Sequence, residues 1–141
     1  MSIWIKIIFF FLSSILISST FAYDDVKISK VISVYDGDTI RVNIDSYPDI
    51  IGENIRVRLK GIDAPEIKGK CQKEIDLAIM ARDYLRNAIN KSNQIELRNI
   101  ERGKYFRIVG ELYVNGENIS EELLRKNLVQ QYKTKKKKLC K

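Results

Sequence analysis

The residues best suited to chemistry in this chain lie in one segment, Arg58-Leu59-Lys60-Gly61-Ile62-Asp63-Ala64-Pro65-Glu66. The segment carries a guanidinium and two carboxylates, and a proline stands between the carboxylates. Pro65 has a fixed φ and favours an extended conformation at Ala64, so it sets the spacing of Asp63 and Glu66. Two acids and an arginine in one place are suited to a metal-assisted reaction on a phosphate. The alternative is a surface strand and turn whose charges are solvated.

A β-strand is predicted to position these groups, because apolar and basic residues alternate along the approach to Gly61. The apolar residues of this strand are Ile55, Val57 and Leu59, and the basic residues are Arg56, Arg58 and Lys60. The strand therefore places its arginines on the face opposite to the core.

A second acidic site precedes this strand, in a turn around Asp36 and Asp38. The turn connects two predicted strands, over residues 26–34 and 39–44. Asp38 begins the second strand and Asp63 ends the third. A hard cation collects oxygen ligands from separate segments, so these two acids are candidates for one metal site. Simple turn chemistry is the alternative for the acids of the turn.

A long helix is predicted from about Lys73 to Asn90, after a basic, glycine-containing loop. Its apolar stripe has helical spacing and is interpreted as core; the stripe consists of Leu77, Ala81, Tyr84, Leu85 and Ala88. The polar residues Arg82, Asp83 and Arg86 are predicted to face water.

Two further strands are predicted over residues 93–100 and 104–114, and Asn115-Gly116 after them is a strong hairpin signal. Ser120 is the predicted N-cap of a short final helix. Five strands, one helix between the third and fourth strands and a short C-terminal helix predict a mainly β fold of the α+β class. The arrangement expected is a five-stranded barrel like the OB-fold.

The composition restricts both the size and the chemistry. The chain has 141 residues, of which 45% are hydrophobic, and one small domain over residues 23–132 is expected. It has no histidine, so proton transfer falls to Asp, Glu, Lys or Tyr, and a metal is expected to be calcium or magnesium. The chain has 25 Lys and Arg against 18 Asp and Glu. This excess of positive charge indicates a polyanionic partner, either nucleic acid or an anionic membrane surface.

The N-terminal segment, residues 1–22, has the pattern of a secretory signal peptide. Lys6 is its only charge, residues 7–17 are nearly all apolar, and small residues occur at Thr20 and Ala22. Cleavage after Ala22 and a periplasmic or extracellular location are expected. The alternative is an uncleaved membrane anchor, but the apolar run is shorter than the roughly 20 residues that span a bilayer.

Two cysteines, Cys71 and Cys140, lie beyond the predicted signal peptide. Export places them in an oxidising compartment, which favours a disulfide. A bridge that closes so long a loop adds about 4 kcal/mol of stability in the chain-entropy model. Two free thiols are the alternative.

Three motifs, taken together and in order, resemble the staphylococcal-nuclease-like family, also called thermonucleases. The resemblance covers about residues 26–130. It implies a calcium-dependent nuclease that hydrolyses phosphodiester bonds of DNA and RNA and favours single-stranded or denatured substrate. The expected protein is a monomer and has no stable membrane association once the signal peptide is removed. The motifs are Val34-Tyr35-Asp36-Gly37-Asp38-Thr39, Arg58-Leu59-Lys60-Gly61-Ile62-Asp63-Ala64-Pro65-Glu66 and Lys104-Tyr105-Phe106-Arg107.

The resemblance implies a calcium site at Asp38 and Asp63, whose carboxylates would bind the ion together with the backbone carbonyl of Ala64. The family often has threonine at the position of Ala64. Two other departures lie beside the third motif: Phe106 stands where the family commonly has glycine, and Gly103 where it commonly has aspartate.

The resemblance also implies the catalytic residues. Glu66 would be the general base for the attacking water. Arg58 and Arg107 would hold the phosphate and stabilise its developing charge, and Lys104 and Tyr105 would lie near a terminal phosphate of the bound nucleotide.

The sequence is compatible with two functions other than a nuclease. A non-catalytic nucleic-acid-binding module of the same fold would need neither the acids nor the arginines. A basic surface protein would use the Lys-rich tail, residues 133–141, to contact anionic lipid. The tail itself is expected to be solvated and disordered, with sequence-independent attraction to phosphates as its alternative role.

Overall fold

The computed structural model describes residues 23–134 and 138–140. The predicted signal peptide, residues 1–22, lies outside the described residues, as do residues 135–137 and 141 of the predicted tail. In the described ranges, no helix combines the length and the apolar character that crossing a membrane requires.

Short strands and three helices make up the described chain. The helices are α1 (Asp49–Gly52), α2 (Gln72–Asn90) and α3 (Ile119–Arg125). The strands are β1 (Val26–Lys27), β2 (Lys30–Val34), β3 (Thr39–Asn43), β4 (Ile55–Leu59), β5 (Ile62–Asp63), β6 (Ile95–Arg102), β7 (Ile108–Val114), β8 (Glu117–Asn118) and β9 (Gln130–Gln131).

One mixed sheet carries the fold, with the strand order β1-β6-β7-β4-β3-β2 and with β8 paired to β7. Its two outer strands, β1 and β2, are separated in sequence only by Ile28 and Ser29. The N–H of Ile28 donates to the carbonyl of Ile95 in β6, and the N–H of Ser29 donates to the carbonyl of Asn43 in β3, each at 3.0 Å. The sheet is therefore curled so that its two edges meet, which confirms the α+β, OB-fold-like barrel.

This closure corrects the first predicted strand. A single strand over residues 26–34 was expected, but the chain bends at Ile28 and Ser29 and forms two strands on opposite edges. The side chain of Ser29 stabilises the bend, since its hydroxyl donates to Asp45 at 2.6 Å. The irregular spacing of the apolar residues in this segment is the physical cause, because no single face of a straight strand could bury them.

The parallel pair β4 and β7 is central to the placement of the site. Val57 is opposite Ile108 and Leu59 is opposite Gly110, so the end of β4 lies beside the start of β7. The predicted strand over residues 104–114 is too long, because the structure begins β7 only at Ile108. Residues 104–106 form a turn instead.

Helix α2 lies over the barrel and agrees with the predicted helix to one residue at its start. Its fully buried residues are Ala78, Ala81, Leu85 and Ile89. The turn before β3 packs closely on it: a Cβ at Gly37 would lie 2.7 Å from the Cβ of Ala81. Glycine is therefore required there for the acidic turn to reach the helix.

The Asn115-Gly116 hairpin is confirmed, with both residues at positive φ as a type I′ turn needs. The predicted N-cap of α3 is wrong. Asn118, not Ser120, is the N-cap, and its side chain accepts hydrogen bonds from the N–H groups of Ser120 and Glu121. Helix α3 begins at Ile119, directly after the short strand β8. Ser120 therefore belongs to the first turn of the helix, where it is buried.

Candidate active site

Asp38 lies immediately before β3 and is buried, with 2% of its surface exposed. One carboxylate oxygen accepts hydrogen bonds from Thr39 Oγ1 and from Arg58, both at 2.9 Å. The other oxygen accepts the backbone N–H of Ala64 at 2.7 Å. Three segments of the chain therefore converge on this one carboxylate.

Arg58 holds two acids together. Its two terminal nitrogens donate to Asp38 at 2.9 Å and to Asp63 at 2.8 Å. The register of the sheet makes this possible, because Arg58 on β4 is directly opposite Thr39 on β3. The acids that the sequence placed in separate segments thus lie within reach of one guanidinium.

The burial of Asp38 changes its titration. Desolvation, and after it the charge of Asp36, raise the pKa of the Asp38 carboxyl from 3.8 to about 6. The hydrogen bond from Ala64, the charge of Arg58 and the hydroxyl of Thr39 act in the opposite direction. The net effect is a carboxyl that gains its charge near pH 6 in the absence of a cation.

The segment after β4 has the extended path that Pro65 favours. Asp63 belongs to β5, which pairs with β9 and places Asp63 opposite Gln130. Ala64 and Pro65 are buried, whereas Glu66 is exposed. The proline therefore separates an acid tied into the protein from an acid that faces solvent.

Glu66 lines an open cavity of about 620 Å³, which we call the Glu66 cavity. Asp36 is the other acid in its lining. Its cationic lining consists of Arg41, Arg56, Arg58, Arg82, Arg86 and Arg107. Arg82 and Arg86 were predicted only to face water, so their position beside Glu66 was missed. The signal available in the sequence was their i, i+4 spacing on α2.

Arg107 follows a turn whose backbone is unusual. Tyr105 and Phe106 both have φ of 56°, and each is 91% exposed. The turn is closed by the N–H of Gly103, which donates to the carbonyl of Arg107 at 2.7 Å, and by the N–H of Arg107, which donates to Lys104 at 3.2 Å. The aromatic residues are therefore at the tip of a turn rather than on a strand.

The turn gives a physical reason for Gly103. A Cβ at this position would lie 2.7 Å from the carbonyl oxygen of Arg107 and 3.0 Å from a methyl of Val109. An aspartate would not fit without a shift of the backbone. Gly103 and the left-handed Phe106 are thus parts of one turn geometry, and this geometry still directs Arg107 into the Glu66 cavity.

A second cavity, of about 450 Å³, lies on the other side of the arginine pair; we call it the Lys104 cavity. Lys104 is part of its lining, together with Lys60 and Tyr132, neither of which was predicted to belong to a functional site. Arg58 and Arg107 line both cavities. Tyr105, by contrast, projects into solvent at the tip of the turn and lines neither cavity.

The side chains near Arg58 fit a hard cation by their chemistry, since Asp38 and Asp63 offer carboxylate oxygens and no nitrogen or sulfur. The described part of the chain contains no group of three or more acidic, histidine or cysteine side chains arranged to hold a metal. A cation at these two acids would therefore take its other ligands from backbone carbonyls, water or a phosphate.

A disulfide connects Cys71 and Cys140 across 69 positions of sequence, with their Cα atoms 5.8 Å apart. Cys71 is the residue before the first turn of α2. Leu139, next to Cys140, lines a small cavity of about 160 Å³ together with Asp63 and Ala64. The bridge thus holds the C-terminal segment close to Asp63 and Ala64.

Comparisons with known proteins relate the chain to one family. The family model described as "Staphylococcal nuclease homologue" matches residues 56–141. The "Uncharacterized 38.1 kDa protein" of Capnoides sempervirens is 32% identical over 84 residues, or 60% of this chain and 23% of that protein. "Staphylococcal-like nuclease CAN1" of Arabidopsis thaliana is 31% identical over 84 residues, or 60% of this chain and 24% of that protein. The chain thus spans about a quarter of these relatives, while the family model covers more than half of the chain. On that match, this chain belongs to the family of staphylococcal nuclease homologues.

Proposed function

We propose that this protein is an exported, monomeric, calcium-dependent nuclease that hydrolyses phosphodiester bonds of DNA and RNA. The observation that carries the proposal is the arrangement around Arg58. Its guanidinium binds two acids on one side and lines, with Arg107 and Glu66, an open cavity on the other. An acid pair, an arginine pair and a carboxylate that faces solvent are the groups that phosphodiester hydrolysis requires.

Calcium would be held by the carboxylates of Asp38 and Asp63 and the backbone carbonyl of Ala64. When bound, it supplies positive charge that neutralises the phosphate and orients water. A raised pKa at Asp38 suits this role, because a buried acid that is costly to ionise alone gains most from a cation.

Glu66 is proposed as the general base. It is exposed and lines the same cavity as Arg58 and Arg107. Without histidine in the chain, a carboxylate is the most suitable group to take a proton near neutral pH. As Glu66 takes the proton, the water oxygen forms a bond to phosphorus and the bond from phosphorus to the 5′ oxygen breaks, which leaves a 3′-phosphate and a 5′-hydroxyl once that oxygen is protonated.

The two arginines are proposed to hold the phosphate and to stabilise the charge that develops on its equatorial oxygens. A guanidinium has five N–H donors. Arg58 directs one to Asp38 and one to Asp63, so it retains donors for a phosphate. Arg107 Nε is buried and has no hydrogen-bond partner among the described residues, as a donor reserved for a ligand would be. Lys104 and Tyr105 are proposed to contact a neighbouring phosphate of single-stranded or denatured substrate.

The test is Glu66→Gln, with the exposed Glu53→Gln as a control that removes the same charge away from both cavities. Turnover on denatured DNA is expected to fall by at least about 10²-fold in Glu66→Gln, with DNA binding retained, because general-base loss has that magnitude. The control is expected to remain near wild type. Unchanged turnover in Glu66→Gln would remove Glu66 from the mechanism.

The second candidate function is a nucleic-acid-binding module without catalysis. The exposed aromatic pair at Tyr105 and Phe106 favours it, because such residues provide stacking surfaces for unpaired bases. A folded protein that binds DNA in calcium and releases no fragments would establish this alternative.

A further inference from the structure

Four arginines of the Glu66 cavity have no part in the reaction proposed above. They are Arg41, Arg56, Arg82 and Arg86. We propose that these four arginines form a second phosphate-binding site, which holds a single-stranded nucleic acid beyond the scissile bond. The inference rests on the proposed nuclease function and specifies its substrate as a polynucleotide rather than a dinucleotide.

The first two arginines come from the sheet. Arg41 on β3 and Arg56 on β4 are directly opposite each other in the antiparallel pair. Like charges in this position destabilise a sheet. Neither forms a salt bridge with any described residue, and the polar contact of Arg41 is with the neutral Asn54 at 3.1 Å. The pair is an uncompensated positive site, which an anion would relieve.

The other two arginines come from α2. Arg82 and Arg86 are four residues apart and so lie on one face of the helix. The neighbouring Ala81 and Leu85 are fully buried and fix the rotation of the helix. One half-exposed carboxylate, Asp83, serves both guanidiniums, at 2.9 Å from Arg82 and 3.7 Å from Arg86. The helix therefore also presents excess positive charge to the cavity.

The charges of the cavity favour a polyanion. Its lining contains six arginines and two acids, Asp36 and Glu66. Arginine binds phosphate through paired N–H donors in a fixed plane, and the cavity offers such donors from two opposing walls, the sheet and the helix. The cavity, of about 620 Å³, is open to solvent and Glu66 in its lining is exposed, so a strand can enter it without displacing the core.

The position of the two sheet arginines separates them from the proposed site of the scissile phosphate. Arg56 is two residues before Arg58 on β4, which is about 7 Å along the strand. Arg58 and Arg107 also line the Lys104 cavity, on the far side from Arg56. A strand that crosses the arginine pair would thus have phosphates in both cavities.

The test measures binding in the Glu66→Gln background, where cleavage does not interfere. The probes are fluorescein-labelled oligothymidylates of 2 and 20 nucleotides, and fluorescence anisotropy gives the affinity from 50 to 200 mM KCl. The variants are Arg41→Gln/Arg56→Gln and Arg82→Gln/Arg86→Gln. The control is Lys91→Gln/Arg125→Gln, which removes two charges outside both cavities.

Each cavity variant is expected to bind the 20-mer at least about 10-fold more weakly and to reduce the slope of log affinity against log salt by about 1.4. This corresponds to two lost phosphate contacts on single-stranded DNA. The cavity variants are expected to bind the dinucleotide as the Glu66→Gln background does. The control is expected to bind both oligonucleotides as that background does. The lysine variant Arg82→Lys/Arg86→Lys keeps the charge and is expected to keep the slope.

Three results would overturn the inference. The salt slope could remain unchanged in both cavity variants. The dinucleotide and the 20-mer could be weakened equally, which would place these arginines at the scissile phosphate. The lysine variant, if it melts like wild type, could show the same loss as the glutamine variant, which would indicate a structural role. A wild-type protein that binds the 20-mer with the expected slope but releases no fragments would contradict the nuclease function alone.

Discussion

Asp38→Asn provides a quantitative test of the buried acidic site. In the folded protein the pKa of Asp38 is about 6, against the ordinary value of 3.8. Each tenfold change in an acid constant corresponds to about 1.4 kcal/mol, so the ionised carboxylate destabilises the metal-free fold by about 3 kcal/mol. The carboxyl is almost fully buried, so solvent does not screen this effect substantially.

The direction follows from proton linkage. A group whose pKa is raised by folding binds more protons in the folded state, so its contribution is fully present below the unfolded pKa and is lost as the pH rises. The loss is expected between about pH 4 and pH 6, with no further change above pH 7. Asparagine cannot titrate, and its altered hydrogen bonds with Arg58 and Ala64 add an offset that does not vary with pH.

The assay is urea unfolding of wild type and Asp38→Asn from pH 4 to pH 8 in excess chelator. The difference in the free energy of unfolding, wild type minus variant, is expected to fall by about 2 kcal/mol across this range, because the first part of the loss occurs below pH 4. Asp76→Asn, at an exposed carboxylate on α2, is the matched control and should give a difference that does not vary with pH. A flat difference for Asp38→Asn as well would refute the reasoning that burial governs this carboxyl.

Three further predictions concern stability. Replacing Cys71 and Cys140 by serine is expected to lower the free energy of unfolding by about 4 kcal/mol in denaturant titrations, since the bridge closes a long loop; a change below about 1 kcal/mol would argue against a stabilising bridge. Asn118→Ala should lower the free energy of unfolding by about 1 kcal/mol, because the N-cap is lost. Ser120→Ala should be neutral or stabilising, because the buried Ser120 hydroxyl has no partner among the described residues. A larger loss of stability in Ser120→Ala than in Asn118→Ala would identify Ser120 as the cap. Phe106→Gly should raise thermal stability by up to about 1 kcal/mol, because it relieves a left-handed φ; a lower melting temperature would show that the aromatic ring packs in solution.

Much of the site could be predicted because it depends on strand register. Alternation in the segment before Gly61 predicted the face of Arg58, and the antiparallel register of β3 and β4 puts Arg58 opposite Thr39. Asp38 had to lie close to it for the same reason. Pro65 gave the extended path that leaves Glu66 exposed.

Other features depend on tertiary contacts that a pattern does not contain. The aromatic residues Tyr105 and Phe106 have strong strand propensity, but the close approach of Gly103 to Arg107 forces a turn at this point. Helical periodicity separated the buried face of α2 from its polar face. It could not show that part of the polar face, at Arg82 and Arg86, lies across a cavity from the sheet.

The broken first strand has a similar explanation. Closing a curled sheet requires one chain segment to pair with both edges, and the segment 26–34 does so by bending at Ile28 and Ser29. Local propensity favours a continuous strand there, and the requirement of closure overrides it. The direct parallel pairing of β4 with β7, by contrast, is what puts Arg58 and Arg107 in the lining of the same two cavities.

The most direct test of the central claim is the release of acid-soluble fragments from denatured DNA, measured with calcium and then with excess chelator. The wild-type protein is expected to release fragments with calcium and to stop when the chelator is added, and Glu66→Gln is expected to release few in either condition. Folded protein that binds the DNA in calcium but leaves it intact would contradict the proposed nuclease and support a binding module.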